Sequence, residues 1–331
     1  MPRRTSVTTP LAHLVGPGKI KVINAHLAYS TGEDAPVRLD PRALRLVLCY
    51  GNIGVTDDAI ALLWQHDVQV AWLSPNGSRC RGRMVASDST RAALRSRQHT
   101  LFSRPEERFR LARDIVASKI ESQIVATQHY RRQGVREGKV SLERLSNYRR
   151  NVDSIASIDA LRGLEGAASA EWFRLLSVLI RPPWVFEKRA RRPPPDPVNA
   201  LLSLGYTWLL TRVIARCEAE GLEVYLGALH EYRAGRPSLA CDLMEPFRVP
   251  AVDRWLIGVT NRNRIQIEEV SKNEEGFRLM PSAFGRMLQS WEENWLSQEL
   301  ATALDDQINK LVSEVAPAAL DPNEPPAPDD L

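Results

Sequence analysis

The chain has few cysteines, no long apolar segment and little net charge. Its 331 residues include four cysteines, Cys49, Cys80, Cys217 and Cys241, whose spacing fits neither a CxxC metal knuckle nor a disulfide framework. No run approaches the ~20 apolar residues that span a bilayer, and the first residues carry no apolar signal core. These absences predict a cytoplasmic protein with free thiols and no membrane span.

The composition is that of an ordinary globular protein, with 44% hydrophobic and 25% charged residues. The length suggests two domains rather than one. The formal net charge of +4 includes an acidic C-terminal segment, so it understates how basic the middle of the chain is.

The local pattern changes near residue 90. Before it, residues 19–27 and 67–73 are β-branched runs bounded by turn residues, with a short helix predicted over 56–65. After it, the apolar residues recur at helical spacing, with a hairpin predicted over 265–279. Residues from about 318 are rich in Pro, Asp and Glu, which predicts a disordered tail.

A long helix is predicted to begin at residues 103–106, where Ser103 and Glu106 have capping-box spacing. One apolar stripe follows: Phe109, Ala112, Val116, Ile120 and Ile124. Arg110, Arg113 and Lys119 lie off this stripe, so we expect them on a solvated face.

Four polar residues on later segments indicate a divalent-metal site: Glu165, His230, Asp242 and Glu245. Asp242 and Glu245 are three residues apart, so on a helix capped by Ser238 they share a face and can bind one ion together. Oxygen ligands with one nitrogen suit Mn²⁺ or Mg²⁺, which favours chemistry on phosphate esters. The alternative is a hydrogen-bonded structural cluster. His230 as a general base is a second alternative to its ligand role.

Two glycines, Gly163 and Gly166, flank Glu165 on a predicted helix. Each weakens a helix by ~1 kcal/mol, so their presence indicates close packing or close approach by a ligand.

A proline-bounded loop over residues 181–196 is basic and contains aromatic residues. We predict that it binds DNA phosphates and stacks an unpaired base, through Trp184, Lys188, Arg189, Arg191 and Arg192. A solvated basic loop is the alternative. A second basic region precedes Glu165, and we expect it to contribute to a salt-sensitive DNA surface; it comprises Arg131, Arg132, Arg136, Lys139, Arg149 and Arg150.

Several ordered motifs resemble the CRISPR-associated endonuclease/integrase of spacer acquisition. They lie at residues 97–98, 117–123, 161–168, 191–206 and 229–248, and residues 50–56 fit the amino-terminal part of that family. The resemblance implies an α+β fold: a β-sandwich-like dimerisation domain over 1–92, a larger all-helical catalytic domain over 93–317, and the tail over 318–331.

The resemblance also implies the ligands of the metal, Mn²⁺ or Mg²⁺: Glu165, His230 and Glu245, with Asp242 as a further acidic residue of the catalytic site. Many relatives have aspartate at the position of Glu245, but either carboxylate can bind a metal.

The implied reaction is attack of the 3′-hydroxyl ends of a short double-stranded DNA on phosphodiesters at the edges of a CRISPR repeat. The implied partners are a second copy of the chain and a small ferredoxin-like protein that bridges two dimers. A DNA-binding structural subunit and a nuclease of branched repair intermediates are the alternative functions.

Overall fold

A computed structural model describes residues 5–8, 11–32, 35–75, 77, 79–84, 92–190, 193–274 and 276–316. The first part is built from strands β1 (Thr5–Thr8), β2 (Leu11–Val15), β3 (Gly18–Ile23), β4 (His26–Ser30), β5 (Val37–Arg38), β6 (Leu46–Tyr50), β7 (Ile53–Val55), β8 (Gln69–Leu73) and β9 (Cys80–Met84). Helix α1 (Asp57–Gln65) lies between β7 and β8, as predicted.

In the described residues these strands form two sheets, with orders β1-β2-β6-β8-β9 and β5-β4-β3-β7. The central strand β6 is parallel to both of its neighbours, β2 and β8, and all of its residues are buried. Alternate residues explain this burial, because Val47 and Cys49 pack toward the other sheet while Leu48 and Tyr50 pack toward the helices. The larger sheet is therefore covered on both faces.

The second part is mostly helical. It contains α2 (Ala92–Ser103), α3 (Pro105–Arg132), α4 (Glu137–Asn151), α5 (Ile158–Leu179), α6 (Pro197–Ala219), α7 (Ser238–Leu243), α8 (Arg254–Asn261), α9 (Pro281–Ser297) and α10 (Leu300–Val315). A π-helical turn (Arg248–Asp253) precedes α8, and a hairpin of β10 (Val270–Asn273) and β11 (Gly276–Leu279) precedes α9. The α+β class is confirmed; the hairpin means that the helical part is not purely helical.

Helix α3 begins one residue later than a capping box at Ser103 requires. Arg104 is the N-cap residue and makes no side-chain cap bond, while Ser103 ends α2 and donates to the carbonyl of Thr100. The capping-box prediction is therefore wrong, although Pro105 at the first helical position still starts the helix.

Helix α6 forms the centre of the helical core. The Asp196 carboxylate accepts from the backbone N–H of Asn199, and Pro197 begins the helix, as the sequence predicts. The helix is long and apolar enough to cross a membrane, but 78% of its most apolar window is buried inside the structure, which is typical of a core helix. A Cβ at Gly205 would lie 2.6 Å from Val252, so glycine lets α6 approach the π-helical turn.

A buried ion network joins the two parts. His13 on β2 lies 2.8 Å from the Glu292 carboxylate on α9, which Arg212 on α6 contacts at 2.6 Å. Burial by itself would raise the pKa of Glu292, but Arg212 and His13 outweigh this effect and lower the pKa to about 2. The division at residues 92 and 93 stays a prediction, and the tail over 318–331 lies outside the described residues.

Candidate active site

Four segments of the helical part meet around one buried cation. Helix α5 carries Glu165, the 3₁₀ turn after α7 carries Glu245, and α3 carries Lys119. The Lys119 ammonium contacts Glu165 Oε1 and lies 2.6 Å from Glu245 Oε2. His230, on the loop between α6 and α7, is close enough to help lower the pKa of Glu245.

Glu245 is held between two cations. Arg248 Nε lies 2.8 Å from its Oε2 atom, in addition to the ammonium of Lys119. Neither contact has hydrogen-bond geometry at that oxygen. Burial would raise the pKa of Glu245, which is 3% exposed, but Arg248 and Lys119 lower it to about 2. The carboxylate is therefore ionised at neutral pH, as a metal ligand has to be.

Asp242 fixes the orientation of His230. Its Oδ1 atom lies 2.5 Å from His230 Nδ1 and accepts the backbone N–H of His230, while Oδ2 accepts those of Ala228 and Leu229. Nδ1 therefore donates to Asp242 where that carboxylate is ionised, and Nε2 is the ring nitrogen that remains to face a ligand. A Cβ at Gly227 would lie 2.9 Å from Asp242 Oδ2, so glycine lets the loop close around this carboxylate.

Asp242 and Glu245 lie in two different elements. Helix α7 ends at Leu243 and Glu245 begins a 3₁₀ turn, so one regular α-helix does not carry both carboxylates. Asp242 is occupied by His230 and the loop amides. The expectation that both carboxylates lie on one α-helix is therefore wrong, while binding of one ion by the pair stays a prediction; in the structure Asp242 contacts His230. Ser238 is the first residue of α7 rather than its cap, because Pro237 is the N-cap residue.

A second buried carboxylate supports Arg248 from behind. Its guanidinium lies 4.7 Å from the centre of the Tyr206 ring, and the Tyr206 hydroxyl donates to Asp253 at 2.5 Å. Trp172 Nε1 also donates to Asp253, at 2.7 Å. Burial raises the pKa of Asp253 to about 6. This network fixes the position of Arg248, and hence of Glu245, from inside the core.

The glycines beside Glu165 face open space. A Cβ at Gly163 or Gly166 would meet no atom within 4 Å, and both residues are exposed. Helix packing therefore does not require them. Approach by a ligand stays a prediction.

The predicted DNA-binding loop is tied into the core over much of its described length. Trp184 is 3% exposed, so its indole packs in the helical core rather than facing an unpaired base. Arg189 donates to Asn199 Oδ1 at 2.9 Å and to Ser203 at 3.1 Å. Lys188 is exposed, and Arg191 and Arg192 lie outside the described residues.

Sequence reasoning missed the two cations of this site. Lys119 was expected on a solvated face of α3, but its side chain is 8% exposed. Arg248 received no role, although its position three residues after Glu245 is the spacing of a helical ion pair. The signal for Lys119 was weaker: it adjoins the apolar Ile120, at the edge of the buried stripe.

The donor set fits a hard or borderline divalent cation. Among the described residues no group of three His, Cys, Asp or Glu side chains is arranged to hold a metal ion. Glu165 and Glu245 nevertheless converge on one positive charge, and His230 presents an imidazole whose other nitrogen is already bonded. A metal held by both carboxylates would share them with the Lys119 ammonium or replace it.

The fold and this cluster define a class of protein: a two-sheet β region followed by a helical part with a carboxylate and imidazole centre. The sequence model of CRISPR associated protein Cas1 matches residues 13–293. A Cas1 endonuclease of Thermus thermophilus is 33% identical over 277 residues, covering 80% of this chain and 81% of the relative. The Cas1 endonuclease of Methanopyrus kandleri is 35% identical over 224 residues, 65% of this chain and 67% of that protein. The chain belongs to the Cas1 family.

Solved structures agree in fold. The Cas1 protein of Thermotoga maritima superposes with a TM-score of 0.81 at 21% identity, covering 93% of this chain and 97% of that one. A chain of a Cas6-RT-Cas1–Cas2 complex gives 0.76 at 25% identity, covering 94% of this chain and 35% of the larger one. A casposase bound to its integration product gives 0.74 at 21% identity, covering 94% and 92%.

Proposed function

We propose that this chain is a metal-dependent DNA endonuclease and integrase that inserts short foreign DNA into a CRISPR array. The 3′-hydroxyl ends of the short duplex attack phosphodiesters at the repeat edges. The observation that carries this proposal is the convergence of Glu165 and Glu245 on one cation beside an oriented His230. Membership of the Cas1 family supports it.

Glu165, Glu245 and His230 would hold Mn²⁺ or Mg²⁺, which supplies Lewis-acid chemistry for phosphoryl transfer. Asp242 holds the His230 ring through Nδ1, so Nε2 is the nitrogen that would bind the metal. Arg248 and Lys119 keep Glu245 ionised, and their positive charges favour an anionic phosphate nearby. With water in place of the 3′-hydroxyl, the same residues would serve DNA cleavage.

The partners follow from the same proposal. The chain would act on double-stranded DNA and repeat DNA in the cytoplasm, as a homodimer whose β region dimerises. A structural neighbour is part of a Cas1–Cas2 complex, and another is a casposase bound to an integration product. These neighbours favour a Cas2 partner, and a joining reaction rather than cleavage alone. That the partner is a small ferredoxin-like protein bridging two dimers is part of the proposal. The DNA contacts include Lys188 and the two arginines outside the described residues.

The test is strand transfer of a short 3′-hydroxyl duplex into a supercoiled plasmid carrying the cognate repeat, with Mn²⁺ or Mg²⁺ and the bridging partner. We expect His230→Ala and Glu245→Ala to abolish joining while binding of DNA is retained. Glu231→Gln is the matched control, because this neighbouring carboxylate is 66% exposed and pairs only with Arg162 among the described residues. Joining by both site variants at the wild-type rate would refute the proposal.

A further inference from the structure

A wide groove opens at the far end of α3 from the candidate active site. It has a volume of about 820 Å³ and lies where α3, α5 and α8 end, α4 begins and α9 passes. Tyr130 lines it, eleven residues after Lys119 on the same helix, which places the groove about 16 Å along the helix axis. The groove is therefore separate from the cluster around Glu245.

The groove collects arginines from four different segments of the chain: Arg136, Arg181, Arg254, Arg262 and Arg264. All except the half-buried Arg254 are exposed. Within the described residues, none of them lies within ion-pair distance of a carboxylate. Many other arginines of the helical part are paired, among them Arg110, Arg174 and Arg216. The groove thus concentrates guanidinium groups that the fold leaves without a counter-charge.

Local negative charge does not account for this concentration. Two glutamates also line the groove, Glu137 and Glu293. Three helices, α3, α5 and α8, end at it, and each C-terminus contributes about −0.5 charge. Five arginines exceed these contributions together by roughly one to two positive charges. A surface of this kind attracts an anionic ligand.

We propose that this groove binds the phosphate backbone of duplex DNA, as a second contact surface in addition to the catalytic cluster. Guanidinium groups are suited to phosphates, which they contact without reading sequence. The two large aromatic rings that line the groove do not offer faces for stacking, since Tyr130 is 8% and Trp255 3% exposed, and only the half-buried imidazole of His129 remains. Single-stranded DNA is usually held by such stacking, so the chemistry favours a duplex. This inference rests on the proposed function and adds the place where the duplex is held.

The salt dependence of DNA binding tests the groove. Binding of the full chain to a blunt duplex of about 30 base pairs is measured by fluorescence anisotropy at several salt concentrations with EDTA, so that no strand transfer occurs. For Arg262→Gln/Arg264→Gln we expect the slope of log K against log salt to fall by about 2, and binding at about 0.15 M salt to weaken roughly 30-fold. The matched control is Arg42→Gln/Arg45→Gln, which removes two exposed arginines from the β region.

A second pair, Arg136→Gln/Arg181→Gln, tests the opposite side of the groove and guards against a local folding defect. We expect the same loss of slope from this pair. If the salt slopes of both pairs equal that of the control, the proposal is overturned. It is also overturned if the variants bind duplex DNA normally but no longer bind the bridging protein, since the groove would then be a protein interface.

The two proposals fail in different ways. If the wild type joins DNA but the groove pairs behave as the control, only the groove assignment is wrong. If the wild type binds duplex with the groove-dependent slope but never joins DNA with partner and metal, only the integrase proposal is wrong. If the wild type does not bind duplex DNA, both are wrong.

Discussion

Replacing Arg248 with methionine should destabilise the protein strongly, because the buried carboxylate of Glu245 then keeps only one of its two neighbouring cations. Arg248 Nε lies 2.8 Å from Glu245 Oε2, and its guanidinium covers the ring of Tyr206. Methionine keeps most of the volume of the aliphatic stem but removes the charge. The remaining cation at Glu245 is Lys119, which also serves Glu165.

The magnitude follows from the pKa of Glu245. A fall from 4.5 to about 2 corresponds to about 3 kcal/mol of stability. Since the folded-state pKa is lowered, this stability is present above about pH 4.5 and is lost as the pH falls toward 2. Removing one partner of a buried ion pair typically costs 3–5 kcal/mol, so we expect about 3 kcal/mol for Arg248→Met at pH 7.

Urea denaturation followed by tryptophan fluorescence measures the change. Arg144→Met is the matched control: it also pairs with a buried carboxylate, that of Glu171, but its side chain is 55% exposed and Arg174 remains as a partner. We expect less than about 1 kcal/mol from the control. The double variant Glu245→Gln/Arg248→Met should recover part of the loss. A change for Arg248→Met no larger than that of the control would refute the reasoning.

Four further predictions test the site. Asp242→Asn should weaken Mn²⁺ binding, measured by titration calorimetry, by about 10- to 100-fold because His230 loses its charged partner; unchanged affinity would exclude the orienting role. Gly163→Ala and Gly166→Ala should each raise the free energy of unfolding by about 1 kcal/mol and slow strand transfer, since their methyl groups fill open space beside Glu165; stabilisation with full joining would show that no ligand approaches there. Lys119→Met should tighten Mn²⁺ binding roughly tenfold, about 1.4 kcal/mol, because the ammonium no longer competes for the carboxylates, and weaker binding would contradict this. Burial raises the pKa of Asp253 from 3.8 to about 6, so its contribution to stability is full below pH 3.8 and is lost as the pH rises to about 6. The free energy of unfolding of the wild type should therefore decrease over this pH range, and this decrease should be absent in Asp253→Asn. The same decrease in the variant would show that Asp253 does not cause it.

Much of the chain was predictable because its signals are local. The change from β-branched runs to helical spacing near residue 90 predicted the α+β class, and Asp196 with Pro197 predicted where α6 begins. The motifs around Glu165 and His230 were sufficient to indicate the family, which the comparisons confirm. The metal-ligand roles of these residues stay predictions, although the structure brings Glu165 and Glu245 to one cation.

Sequence by itself therefore determined the element types, the family and the main candidate acids, since each depends on neighbouring residues or ordered motifs. Only the tertiary structure decided how buried charges are paired, because α3, α5 and the turn after α7 meet there from distant parts of the chain. Because these segments contact one another, Lys119, which the helical pattern predicts on the surface, lies between two carboxylates. Trp184, predicted to face DNA, is buried in the core. Periodicity reports which face of one helix is apolar, but not which charges another helix will bring to that face.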